Sequence, residues 1–303
     1  MNRIKTAISF FLMIVATSCV GEIDFRPEYV RKLTINGVLR LNESTQVVDI
    51  KYNAPRNGTY AEVSEAEVLL YADGLLVGPF KKTAFCRWEI ECVPKSGVHY
   101  RIEVIVPGLP VVSGETMMPY PPKIERGRPN GRYIRNLIQR EGVSSPMWMC
   151  TLLRRDSYVA DKEIPEDYMD SYLISRSIAT NHPYVDNFNI TGSSFPRQGT
   201  ALPSENPDHD GFIRLPSMTL DESLEFGIEG FFDNTILSVM SISEEYDRYL
   251  KSSYQKMINY KTGAFYDFLE EDVIYSNING GLGIFGACSE KLLLYNNNSS
   301  LIL

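Results

Sequence analysis

The chain has 303 residues, a formal net charge of −8, 44% hydrophobic residues and 22% charged residues. That length and apolar content can bury a proper core, in two domains rather than one. The acidic balance argues against a surface of clustered Lys and Arg, so no nucleic-acid partner is expected, nor an electrostatic grip on anionic lipid.

Residues 1–18 read as a leader. Arg3 and Lys5 make a basic start, residues 7–16 are mostly apolar, and Ala16, Thr17 and Ser18 place small side chains just before Cys19. A cleaved signal needs this order of basic, apolar and small residues. In a bacterial lipoprotein the residue after the cut is Cys, whose thiol receives the lipid. The apolar run is too short to cross a bilayer core, which needs ~20 residues. The competing reading is a plain secretory signal with a chance Cys, since Ala16 stands where Leu is more usual. The expected site is therefore lipidation at Cys19, with residues 19–29 as a lipidated tether carrying Glu22 and Asp24. Each buried methylene contributes ~0.8 kcal/mol, so two or more acyl chains anchor stably where one is marginal.

Residues 30–118 alternate with period two. Leu33, Ile35, Gly37, Leu39 and Leu41 lead, and Val48, Ile50 and Tyr52 follow. Residues 66–71 run into Asp73-Gly74, a hairpin turn signal, with 75–80 as the return strand. Residues 85–93, then Val98, Tyr100, Ile102, Val104 and Val106, then 111–118 complete the set. Short strands separated by turn signals predict an immunoglobulin-like β-sandwich. Pro119, Pro121 and Pro122 mark a boundary, because Pro resists both helix and central strand.

Residues 123–303 predict a second, mainly β domain. Strands are expected over 147–154, 172–179, 224–232 and 235–242, and long loops over 181–216. One amphipathic helix is expected near 243–259. Ser243 can cap it, Glu244 and Glu245 suit its first turn, and Tyr246, Tyr249, Leu250, Met257 and Ile258 share a face.

The chemistry-bearing motifs are weak. Gly281-Leu282-Gly283-Ile284-Phe285-Gly286 matches G-x-G-x-x-G, but too little chain follows for a helix, a strand and an acidic partner. Its glycines read instead as tight turns and close packing of a terminal strand. Ser253-Tyr254-Gln255-Lys256 and Lys261-Thr262-Gly263 mimic serine-acyl enzymes but stand too close together to face each other across a pocket. Residues 206–211 resemble the start of a calcium loop, yet Arg214 and Ser217 occupy later ligand positions. His99, His182 and His209 are far apart, and no C-x-x-C occurs. No catalytic residue, metal ligand or cofactor is assigned, and the ligand-binding residues are unknown. Cys86, Cys92, Cys150 and Cys288 could form disulfides in an exported protein or remain free thiols, and their pairing stays open.

Several runs together resemble a known family: Cys19 with Glu22 and Asp24, residues 33–41, residues 66–71 with the Asp-Gly turn, Ser243-Glu244-Glu245-Tyr246 with Tyr249-Leu250, and the 276–286 run. It is the Bacteroidota outer-membrane lipoprotein family known as a domain of unknown function, DUF4249. The resemblance implies an outer-membrane lipoprotein, on the cell surface rather than the periplasmic face, held through acyl chains on Cys19. It also implies a TonB-dependent outer-membrane receptor as partner. The expected function is non-enzymatic, as an accessory or ligand-binding partner of that transporter. The alternatives are a fimbria-like structural or adhesive surface lipoprotein and a lipid-anchored hydrolase.

Overall fold

The computed structural model describes residues 30–54, 58–130, 133–139, 145–154, 172–176, 178–180, 186–188, 212–215, 224–229, 235–262, 274–296 and 299–302. Residues 1–31 and 32–303 separate as two units, and the architecture below is that of the second.

The first region contributes β1 (Leu33–Arg40), β2 (Thr45–Tyr52), β3 (Ala61–Glu62), β4 (Glu67–Ala72), β5 (Leu75–Pro79), β6 (Lys81–Ala84), β7 (Arg87–Glu91), β8 (His99–Ile105) and β9 (Val112–Met117). One sheet runs β6-β7-β2-β1 and the facing sheet runs β5-β4-β8-β9. This is the strand order of an immunoglobulin-type Greek key. A second hallmark agrees: the Tyr100 hydroxyl, at the start of β8, accepts a hydrogen bond from the Lys95 N–H at 2.9 Å. That is the tyrosine corner of such sandwiches. The Asp-Gly turn is also present, with φ of +47° at Asp73 and +81° at Gly74. Both central residues left-handed is what a two-residue hairpin requires.

Period-two alternation sends Leu33, Ile35, Val48, Ile50, Trp88 and Ile90 inward from one sheet. Val68, Leu70, Tyr100, Ile102, Val104 and Val112 meet them from the other. The strand expected over 85–93 is shorter, because the chain turns at Phe85 and Cys86 and a separate β6 precedes it. Cys86 is itself left-handed, with φ of +58°.

The remaining strands are β10 (Lys123–Asn130), β11 (Tyr133–Gln139), β12 (Met147–Arg154), β13 (Tyr172–Arg176), β14 (Ile178–Thr180), β15 (Asp186–Phe188), β16 (Phe212–Leu215), β17 (Leu224–Glu229), β18 (Thr235–Ile242), β19 (Ile278–Asn279), β20 (Leu282–Asn296) and β21 (Ser299–Ile302). The helix among the described residues is α1 (Glu244–Thr262). The fold class is thus as expected: an immunoglobulin-like sandwich followed by a second, mainly β region with one amphipathic helix. Two short strands, β15 and β16, fall inside the stretch expected to be loops, because Phe212 to Leu215 pair with Met147 to Met149 and with 186–188.

One feature of the topology was not foreseen. β20 lies between β1 and β18, parallel to the first and antiparallel to the second. The large sheet therefore continues from the sandwich into the second region, in the order β15-β16-β12-β18-β20-β1-β2-β7-β6. A separate four-stranded sheet, β10-β11-β17-β14, stands beside it. The expected division at 123 consequently does not separate two sheets. Residues 282–288 pair with β1 and so extend the first sandwich, while the rest of β20 pairs with β18.

Candidate functional site

The expected lipidation site, Cys19, lies outside the described residues, as do the expected tether 19–29 and the calcium-like run 206–211. His182 and His209 do so as well. The other motifs resolve into structure. Ser253, Lys256, Lys261 and Thr262 all sit on α1, which runs past the expected end at 259. They share one helix, and Gly263 lies outside the described residues. The glycine run forms the entry to β20. At Gly283, φ is +106° and a Cβ would strike the Ile35 carbonyl; at Gly286 a Cβ would lie 2.8 Å from that of Tyr246. These glycines serve a turn and a close helix approach, as the sequence suggested.

The densest polar chemistry lies where α1 crosses β1 and β20. Ser243 caps the helix: its Oγ accepts from the Tyr246 N–H at 3.3 Å, and also from the Ala287 N–H at 3.3 Å, tying the cap to β20. Glu244, Glu245 and Asp247 fill the first turn, where the helix dipole favours anions. Tyr246, Tyr249 and Leu250 form its buried face, as expected; the side chains of Met257 and Ile258 lie outside the described residues.

Beneath this helix Arg40 is 8% exposed. Its Nε lies 3.7 Å from Glu43 Oε1 and its Nη1 3.9 Å from Glu290 Oε2. Glu290 is held in turn by Ser238, whose Oγ donates to it at 2.6 Å, and its carbonyl accepts from Asn42 Nδ2 at 2.7 Å. Burial opposes the Arg40 charge, but Cys288, Tyr246, Glu290 and Glu43 favour it, and the net direction is upward. Burial also pushes the Cys288 thiol up to about 11 and the Tyr246 phenol above its ordinary value. Both are therefore neutral at neutral pH, and the working counter-charges of Arg40 are Glu290 and Glu43. A buried cation needs such partners, because desolvation alone costs several kcal/mol.

A buried amide, Gln46, a buried carboxylate, Asp247, and a half-buried amide, Asn277, complete the set. Gln46 Oε1 accepts from the Arg40 N–H at 2.7 Å while its Nε2 donates to the Glu43 carbonyl at 2.6 Å, locking the β1–β2 turn. Asp247 Oδ1 accepts from Trp148 Nε1 at 2.9 Å, joining α1 to β12. Asn277 spans β9 and β20. None of these residues stood out in the sequence, since the partners that bring Arg40 to Glu290, Asp247 to Trp148 and Asn277 to Glu115 are distant along the chain. Arg40 follows the alternation of 33–41 at an outward position, so it gives no local signal of burial.

Chemically the polar layer is a fastening. Its thiol is held protonated, its cation is neutralised, and its carboxylates already accept hydrogen bonds. Cys86, Cys92 and Cys288 are free thiols, while the side chain of Cys150 lies outside the described residues. No group of three or more His, Cys, Asp or Glu suited to a metal occurs among the described residues. No helix among them is long and apolar enough to cross a membrane.

The outer surface differs between the two sandwich edges farthest from β20. Edge strand β6 is guarded by exposed Lys81 and Lys82, with Lys82 Nζ 2.6 Å from Glu62. Edge strand β5 instead shows Leu75 (76% exposed), Leu76 (58%) and Val77 (42%) and carries no charge. Charged side chains are the usual protection against unwanted strand pairing, and β5 lacks it.

Comparison with curated proteins gives no match. Among solved structures, a protein from Corynebacterium diphtheriae described as membrane anchored is similar at 12% identity and a TM-score of 0.20, over 71% of this chain and 55% of that one. The chain thus spans about half the length of that protein, and so low a score carries no argument about fold or role. The family match is of another order: the domain of unknown function DUF4249 covers residues 21–292, nearly the whole chain behind Cys19. The 276–286 run and the 243–250 run that carry the resemblance both fall within it, and the chain belongs to the DUF4249 family.

Proposed function

We propose that this protein is a non-enzymatic lipoprotein of the Bacteroidota outer membrane, held by acyl chains on Cys19, and that it serves as an accessory or ligand-binding partner of a TonB-dependent transporter. The observation that carries this reading is the position of the family match, which begins at residue 21, directly behind the leader and Cys19. Two further observations support it. The buried polar groups Arg40, Gln46 and Asp247, and the half-buried Asn277, each hold one element to another, which suits a binding scaffold better than a reaction centre. The uncharged β5 edge offers a surface on which a partner strand could pair. The acidic residues Glu22 and Asp24 behind Cys19 favour the cell surface over the periplasmic face.

The fimbria-like alternative would use a terminal strand to join neighbouring subunits. The observed C-terminal strands, β20 and β21, are instead engaged within their own chain. The test is affinity recovery of the tagged protein from detergent-solubilised outer membranes. Co-recovery of a TonB-dependent β-barrel supports the reading, and recovery without any such receptor overturns it. Cys19→Ser separates the anchoring part: the variant should leave the membrane fraction, and continued membrane association would refute lipid anchoring.

A further inference from the structure

The sandwich of residues 30–118 has two strands, β1 and β9, that would flank an open side. An unpaired strand edge and an uncovered apolar core are both unfavourable in water. Residues 276–288 close that side from the far end of the chain. Ile278 and Asn279 pair with Gly114 and Ser113 of β9. The 282–288 stretch then crosses to the other sheet and runs parallel to Thr34 to Arg40 of β1. Asn277 ties the two together: its Nδ2 donates to the Glu115 carbonyl at 2.8 Å and to the Phe285 carbonyl at 2.7 Å, and its Oδ1 accepts from the Phe285 N–H at 2.9 Å.

The core is shaped for this segment. Phe285, Ala287 and Ile278 belong to the same apolar cluster as Ile35, Val48, Ile102 and Val112. Gly114 of β9 makes room, because a Cβ there would lie 2.9 Å from the Cβ of Phe285 and 2.7 Å from Ile278 Cδ1. Phe285 thus adds to Phe80, Trp88 and Tyr100 in that cluster, and Gly114 is placed where the donated aromatic enters.

We infer that residues 276–288 are a built-in donor segment without which the 30–118 sandwich does not close, so that folding of the first region waits for the C-terminus. Parallel pairing between the two ends of a chain is slow, since a long loop must close before the contact forms. On the lipoprotein reading proposed above, the consequence is that the region nearest the anchor stays open until residues 276–288 have crossed the membrane. That keeps the chain threadable during export. The donor-segment inference stands on geometry alone and is tested apart from that reading.

Hydrogen exchange on the purified full chain decides it. Asn277→Ala removes the tie, and Phe285→Ala removes the donated aromatic. The strands to watch are β2, β4 and β7, which form no ladder with the donor segment. If the segment is a keystone, their amides lose protection together with those of β1 and β20, by a common factor of roughly 5–30 for Asn277→Ala. If the sandwich is autonomous, only β19 and β20 loosen while β2, β4 and β7 keep their protection, and the inference falls. No change anywhere also overturns it. Should Phe285→Ala fail to fold, Asn277→Ala decides, because it leaves the apolar core intact. Failure of this test leaves the Cys19 and receptor experiments untouched.

Discussion

The large sheet has two faces where β1 and β20 meet, and they are built from opposite materials. One packs Ile35, Phe285 and Ala287 against the second sheet, in a layer of side chains that are almost wholly apolar. The other places Arg40, Cys288 and Tyr246 under α1, with Glu290 and Glu43 as counter-charges. Both are buried, yet they are stabilised differently. The apolar face gains by removing area from water and by tight packing, and it depends on shape. The polar face gains only if each buried group finds its partner, and it depends on identity. A strand covered on both faces is typical of parallel pairing, here supplied by a sheet on one side and a helix on the other.

The largest expected effect lies on the apolar face. Phe285→Ala should cost ~3–5 kcal/mol, measured by urea denaturation, because it removes an aromatic from a fully packed layer. Phe285→Leu should recover most of it if shape is what matters there. On the polar face, Arg40→Met should cost ~3 kcal/mol, because it strands Glu290 and Glu43 beside a buried surface. The double variant with Glu290→Gln should regain part of that loss, which no apolar-face variant would show. Asp247→Asn should cost ~2 kcal/mol by weakening the charge-assisted bond to Trp148, and should shift Trp148 fluorescence.

The Cys288 thiol gives the polar face a pH signature. Its pKa is raised by burial from 9.0 to about 11. The unfolded chain therefore releases this proton first as pH rises. The stabilisation is fully present below pH 9 and is lost progressively towards pH 11, by ~2 kcal/mol. Cys288→Ala should flatten that part of the stability profile, while a Cys92→Ala control, at a half-buried thiol, should flatten it less. The smallest effect belongs outside both faces. Leu76→Lys on β5 should change stability by less than ~0.5 kcal/mol, as an exposed substitution. It should nevertheless reduce co-recovery of the transporter if the β5 edge is the docking strand.

The two faces also differ in how well they could be read from sequence. Alternation in 33–41, 48–52 and 98–106 announces one buried face per strand, and the Asp-Gly turn fixes the hairpin between β4 and β5. These are local signals, and the sandwich follows from them. Arg40 takes an outward position in the 33–41 alternation, and nothing near it in sequence says that α1 will cover it. Asn277 looked like part of a turn. Its role depends on Glu115 and Phe285, and the first of these lies 162 residues away.

What the sequence by itself determined was the mainly β class, the sandwich strands and the capped helix. All of these rest on short-range patterns of charge, period and turn residues. Only the tertiary structure decided that the last long strand completes the first sandwich, and that a charged layer lies buried beneath the helix. Pairing between strands at opposite ends of a chain leaves no periodic trace. Each strand carries only half of the pattern, and the energy that joins them appears when both are brought together.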